Sequence, residues 1–256
     1  MSKKIQTAER VSQNDISDNY VYQRSVLAYV EAAKLISGKV LEIGTGSGYG
    51  IELLSAKADS FLTIDKFASQ AGLNASETIE NVTFQQLNVP PLNGLESDSF
   101  DFVVSFQVIE HIEKDEEFVK EIHRVLKKGG KFIVTTPNKV MSLTRNPWHI
   151  REYTVSELTN LLTSHFSVVD SKGVFGNDTV MKYYEENKAS VARIMRFDVF
   201  NLQHRLPRQV LQIPYDILNR RNRNKLSSKG SHIKMEDYYV DRAAEKCIDL
   251  FYIAEK

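Results

Sequence analysis

Four glycines at alternate positions, Gly44, Gly46, Gly48 and Gly50, follow the short apolar run Lys39–Ile43, which carries the acid Glu42. Alternate glycines directly after a strand let the backbone turn tightly and come close to a bound molecule. A helix predicted over 49–57 then points its first N–H groups at anything anionic or carboxylate-like. The spacing selects among ligands. A dinucleotide loop needs glycine at its first, third and sixth positions. Counted from Gly44, Gly46 or Gly48, the sixth residue is Tyr49, Ile51 or Leu53, so that loop type is disfavoured. A tight turn without any ligand is the competing explanation. It leaves the conformational cost of so many glycines unexplained.

Other residues of chemical interest stand just after further strand-like runs. Asp65 closes the run 60–64, where a carboxylate can accept both hydroxyls of a ribose or cap the helix predicted over 68–77. Lys66 lies beside it. His111 ends the segment Phe100–His111, and His149 sits in Asn146–Thr154 among Trp148, Arg151 and Tyr153. Histidine is the usual residue for taking a hydroxyl proton near neutral pH. The bland alternatives are a histidine bonded to backbone, and aromatics that staple the helix predicted over 154–164.

The pattern acidic-x-Gly-x-Gly-x-Gly, with Glu42 as the acid, resembles motif I of the class I S-adenosylmethionine (SAM)-dependent methyltransferases. The resemblance continues through Asp65, Asn88, the Gln107–His111 stretch and Arg124–Asn138, over roughly residues 20–170. It implies SAM as cofactor and S-adenosylhomocysteine as product. The backbone around Gly44, Thr45 and Gly46 would hold the methionine part. Glu42 would fix the loop or accept from the cofactor's ammonium through water. Asp65, with Lys66 beside it, would meet the ribose. Asn88 and Val89 would meet the adenine, where the family usually has aspartate. Phe106 and Gln107 would lie under the sulfonium. Tyr22 and Arg24 open a helix that covers the cofactor in relatives, and Arg24 would pair with the methionine carboxylate or make a surface salt bridge. Pro137 and Asn138 would edge the substrate cleft. The implied reaction is in-line methyl transfer to an oxygen of a small molecule, with His111 or His149 as base, Trp148, Arg151 and Tyr153 as substrate contacts, and no metal. Asn146–Thr154 resembles a segment of bacterial methyltransferases of glycan and lipid pathways. Transfer to nitrogen or nucleic acid, an NAD-dependent oxidoreductase and a non-catalytic SAM-binding module are the alternatives.

The elements that must position these residues alternate between strand and helix. Strands are predicted at 39–43, 60–64, 82–86, 100–105 and 130–135, and helices at 20–36, 49–57, 68–77 and 115–126. Gly129 and Gly130 are read as the stop of the last helix. This alternation implies a doubly wound, mostly parallel α/β sheet with ligands beyond the strands' C-terminal ends. The resemblance makes it seven-stranded. The expected organisation is a flexible stretch over 1–18, a SAM-binding core over 19–173, a helical basic insertion over 174–245 and a last strand over 246–256.

Composition is ordinary for a globular chain of 256 residues, with 42% hydrophobic and 26% charged residues. Thirty-three basic residues balance 33 acidic ones, so no global field argues for nucleic acid. The single cysteine, Cys247, fits a reducing, cytoplasmic compartment. Charge is locally uneven: Arg193 to Lys229 holds nine basic residues against two acids, interleaved with apolar ones. Such a stretch suits an anionic or carrier-linked substrate or a membrane surface, or is an amphipathic lid with a solvated face. Asn219–Gly230, polar and basic, is expected to be a mobile loop.

Overall fold

The computed structural model describes residues 11–198 and 200–256. Helix α1 (Asn19–Ala33) leads into β1 (Lys39–Ile43), α2 (Ile51–Ser55), β2 (Ser60–Asp65), α3 (Gln70–Thr78) and β3 (Val82–Gln86). Then follow β4 (Phe100–Phe106), α4 (Asp115–Val125), β5 (Leu126–Pro137), α5 (Val155–Thr163) and β6 (Val168–Gly176). The chain continues through α6 (Asp178–Met195), α7 (Leu202–Arg205) and α8 (Arg208–Gly230), and ends in β7 (Tyr238–Arg242) and β8 (Asp249–Glu255).

The strands make one sheet in the order β3-β2-β1-β4-β5-β8-β6-β7. Its first five positions are parallel, and β8 runs antiparallel between β5 and β6. Successive residues of one strand supply opposite cores: Val40 belongs to one, Leu41 and Ile43 to the other. Apolar residues on both faces are what a sheet covered by helices on both sides demands. The strand order reverses where β1 meets β4, and open sheets of this kind bind ligands beyond that point.

Several expectations change in detail. The described residues contain eight strands, because β7 adds to β6 at the sheet edge from within the predicted insertion. Gly129 and Gly130 do not stop α4. That helix ends at Val125, and the glycines sit in β5 where the register jumps from Phe100↔Leu126 to Phe102↔Lys131. Gly129, at φ 78°, turns this irregularity.

Asn219–Gly230 is helix, not loop. Asp216, Asn222, Leu226 and Gly230 are its buried residues, at spacings of a helical face. Asn19 holds its end by donating Nδ2 to the Gly230 and Ile233 carbonyls, both at 2.8 Å. Arg220 and Arg223 reach Asp18, which is fully buried, at 2.8 and 2.9 Å. The expected flexibility of residues 1–18 is therefore corrected for its last part, because α8 fastens it. Residues 1–10 lie outside the described residues.

Candidate active site

The glycine loop leaves β1 and is tied to β2. The N–H groups of Gly44 and Thr45 both donate to the Ile64 carbonyl, at 2.8 and 3.2 Å. Gly44 has φ 99°, and a Cβ there would collide with Val108. Gly46 has φ 52°, yet a Cβ there would meet nothing closer than the Gly44 carbonyl oxygen at 3.9 Å. That side of the loop is an open cradle. A ligand's polar end can approach the backbone there, which is what the sequence pattern asked for.

Glu42 stands behind this cradle and is 2% exposed. Its two oxygens accept from Tyr29 Oη at 2.9 Å and Thr63 Oγ1 at 2.6 Å. Thr45, also buried, lies 2.7 Å from Thr63, oxygen to oxygen, so its side chain braces the loop. Burial pushes the Glu42 carboxyl up to about 7, against the two hydrogen bonds. Burial likewise pushes Asp249 up to about 6, against the attraction of Arg24. In the unfolded chain both protons leave near the usual carboxylate range of about 4. The folded state thus binds more protons in between, and these groups' contribution to stability falls as pH rises from about 4 through 7. Glu42→Gln removes that term for one site. Without ligand, the variant should gain on wild type between pH 5 and pH 8, by on the order of 3 kcal/mol at most. Parallel melting curves for the two proteins across that range would refute this.

Asp65, at the end of β2, accepts from the Gly46 N–H at 3.0 Å and from the Phe67 N–H at 2.9 Å. It therefore joins the two loops that carry the predicted site, and a carboxylate retains acceptor capacity beyond these bonds. Lys66 is exposed, with Nζ 5.0 Å from the Phe67 ring centre. Phe67, itself 56% exposed, is an aromatic face beside Asp65 that the sequence reading passed over. Asn88 is exposed and Val89 half-buried in the loop after β3.

At the end of β4, Phe106 packs edge-on against Tyr29, with ring centres 4.8 Å apart. Gln107 follows at φ 56°, held by its N–H to the Thr135 carbonyl at 2.9 Å. A non-glycine residue in this region is strained backbone of the kind that collects at functional sites. Ser105 Oγ, buried two residues before Gln107, has no hydrogen-bond partner among the described residues. Tyr29 is the main residue missed. It holds Glu42, packs on Phe106 and stands where a Cβ on Gly50 would be. Its signal was present: an aromatic on the inner face of α1 opposite an otherwise unexplained glycine.

Tyr22 packs edge-on against Tyr49 of the glycine segment, with ring centres 5.3 Å apart. Arg24 does not stand ready for a free carboxylate, nor is its salt bridge on the surface. Its Nε lies 2.8 Å from Asp249 Oδ2 at the start of β8, and both side chains are largely buried.

His111 and His149 come together, with ring centres 5.0 Å apart in an edge-on arrangement. His111 Nδ1 is 3.0 Å from the Trp148 carbonyl oxygen. A carbonyl only accepts, so Nδ1 carries a hydrogen, and in the neutral ring the lone pair is then on Nε2. His149 is held at both nitrogens, Nδ1 by Glu152 Oε1 at 2.7 Å and Nε2 by Asn146 Nδ2 at 2.8 Å. Glu110 beside them is 1% exposed. It takes Thr136 Oγ1 on Oε2, and its Oε1 has no hydrogen-bond partner among the described residues. Burial raises its carboxyl above the usual range, opposed by the two histidines. Ligating atoms of Glu110, His111 and His149 lie within 4.8 Å of one another, a grouping among the described residues able to take a metal ion. The hydrogen bonds on the imidazoles compete with that use.

The loop aromatics divide. Trp148 is half-buried and donates Nε1 to Asp216 of α8 at 3.0 Å, which ties the insertion to the histidine pair. Tyr153 is fully buried, donates Oη to Asp115 at 2.8 Å and so braces the start of α4. It is not a substrate contact. Arg151 makes its own bond to the same carboxylate at 2.8 Å. Asn138 is also internal, pinning the Glu245 and Cys247 carbonyls ahead of β8.

The sheet thus brings a braced glycine cradle and a second acid together beyond the ends of β1 and β2. A sequence model described as a methyltransferase domain matches residues 41–134. A probable S-adenosylmethionine-dependent methyltransferase of Mycolicibacterium smegmatis is 31% identical over 251 residues, 95% of this chain and 90% of that one. The chain belongs to the class I SAM-dependent methyltransferases, and SAM is its cofactor. A ubiquinone biosynthesis O-methyltransferase of Pseudomonas syringae is 27% identical over 112 residues, 43% of this chain and 48% of that one. A Thermotoga maritima structure, described as a SAM-dependent methyltransferase and possible histamine N-methyltransferase, shares the fold. Its TM-score is 0.56 at 17% identity, covering 93% of this chain and 92% of that one.

Proposed function

We propose that this methyltransferase moves the methyl group of SAM to an oxygen of a small-molecule acceptor, and that His111 takes the acceptor's proton. When bound, SAM supplies an electrophilic methyl on a good leaving group. The protein's part is alignment, exclusion of water and proton removal. The Gly44–Gly46 backbone and Asp65 hold the cofactor's amino-acid and ribose ends, with Glu42 and Thr45 fixing the loop. Lys66, Asn88 and Val89 border the nucleoside. Tyr22, Phe106 and Gln107 close the site around the reacting group.

The carrying observation is the tautomer of His111. Its Nδ1 donates to the Trp148 carbonyl, so the neutral ring carries its basic nitrogen at Nε2. His149, held by Glu152 and Asn146, is the positioning partner rather than the base. Similarity to the ubiquinone O-methyltransferase adds support for oxygen as the target, over the part of the chain that it covers. Trp148 and Arg151 border the acceptor side. The test is incubation of full-length protein with methyl-labelled SAM and fractionated small molecules. The label should appear on an oxygen of a hydroxylated species. Label recovered only on nitrogen, or on nucleic acid, contradicts oxygen transfer.

A further inference from the structure

Seven of the fifteen exposed large apolar side chains among the described residues fall between residues 197 and 218. Phe197 is 87% exposed, Phe200 70%, Ile213 67% and Val210 58%. On α8 the outward residues Val210, Ile213 and Ile217 recur in steps of three and four, which makes one stripe along the helix with Leu218 at its flank. The helix's inward face is already used, with Asp216, Asn222, Leu226 and Gly230 buried. Each side chain of this stripe stays between 40% and 67% exposed. Apolar area of this kind, rimmed by polar groups, marks an interaction surface.

The rim carries a single sign. Arg193, Arg196, Arg205, Arg221 and Lys225 are exposed and make no ion pair among the described residues. Arg221 and Lys225 continue the face that bears the stripe. The only two acids between Arg193 and Lys229 are occupied internally. Asp198 accepts from the N–H groups of Leu202 and Gln203, and Asp216 from the Trp148 indole. What α8 turns outward is therefore apolar and cationic.

We propose that α8 and the turn before it dock this protein on an anionic lipid membrane, with the stripe entering the interface and the rim meeting the headgroups. An amphipathic helix that lies in the plane of a bilayer has this combination of apolar residues and flanking Lys and Arg. A second copy of the chain is the poorer occupant, since a self-complementary contact sets one cationic rim against the other. Nucleic acid would match the charge and leave the aliphatic side chains without a role. The Trp148–Asp216 bond joins the docked helix directly to the loop that holds His149. Docking would thus set the acceptor side of the site at the membrane surface. The inference uses no step of methyl transfer, so its failure would leave the assignments of Asp65 and His111 standing.

The test is co-sedimentation of the full-length protein with vesicles of phosphatidylcholine alone and of phosphatidylcholine mixed with phosphatidylglycerol. The protein should bind the mixed vesicles, release in high salt, and bind the neutral ones at least about tenfold more weakly. The pairs Ile213→Ser with Ile217→Ser, and Arg221→Gln with Lys225→Gln, should each weaken binding by about tenfold or more while melting temperature and SAM binding stay unchanged. Wild-type protein left in the supernatant with mixed vesicles, or variants that bind as well as wild type, would overturn the proposal. So would a concentration-dependent dimer in sedimentation velocity that the isoleucine pair abolishes, if no vesicle binding accompanies it.

Discussion

Replacing Asp65 with alanine is expected to weaken SAM binding by roughly 100-fold while the folded protein persists. The carboxylate lies where the ends of β1 and β2 meet and already accepts the N–H of Gly46. Substitution removes that brace and the acceptor capacity assigned to the ribose hydroxyls. Hydrogen bonds to a charged group are worth roughly 1.5–3 kcal/mol each, and 1.4 kcal/mol is about tenfold in affinity. Asp65→Asn keeps one acceptor oxygen and should fall between alanine and wild type. Titration of both variants with S-adenosylhomocysteine, alongside a melt without ligand, reads the effect. A melt that drops as far as the affinity would assign Asp65 to the fold. An alanine variant that binds like wild type would remove it from the cofactor site.

The second large effect belongs to His111. His111→Ala should lower turnover by about 10²–10⁴, the range for loss of a general base, with SAM affinity near wild type. His149→Ala should cost less, because its ring positions the neighbouring group and both its nitrogens are held inside the protein. Single-turnover rates beside separately measured affinities distinguish the cases. A larger loss at His149 would exchange the two roles. Equal, small losses at both positions would reject a histidine base.

The sequence was most legible where a local pattern fixes a local structure. β1 and β3 have the limits read from apolar runs bounded by glycine or polar residues. Thr154 and Glu157, three residues apart at the start of the helix predicted over 154–164, form a capping box. The glycine cradle was legible for the same reason, since left-handed backbone needs glycine there. Partners far apart in the chain were not legible. No short-range pattern connects Arg24 with Asp249, or Tyr153 with Asp115, and those long-range pairs moved an arginine and a tyrosine out of the expected site. Local composition also misled. Asn219–Gly230 reads as loop because its residues are polar, but its buried face is only a few residues wide and the charges of Arg220 and Arg223 are met by Asp15 and Asp18 some two hundred positions earlier. Gly129–Gly130 reads as a helix stop, and serves instead where β5 slips its register against β4.

The claim beneath all of this is that the amides and acids beyond β1 and β2 grip the amino-acid and ribose ends of SAM. Calorimetric titration of the full-length protein with SAM, S-adenosylhomocysteine and NAD tests it most directly. Saturable one-to-one binding of SAM and S-adenosylhomocysteine, with no heat from NAD, is the predicted result. No heat from either sulfur nucleoside, with saturable binding of NAD, would contradict it.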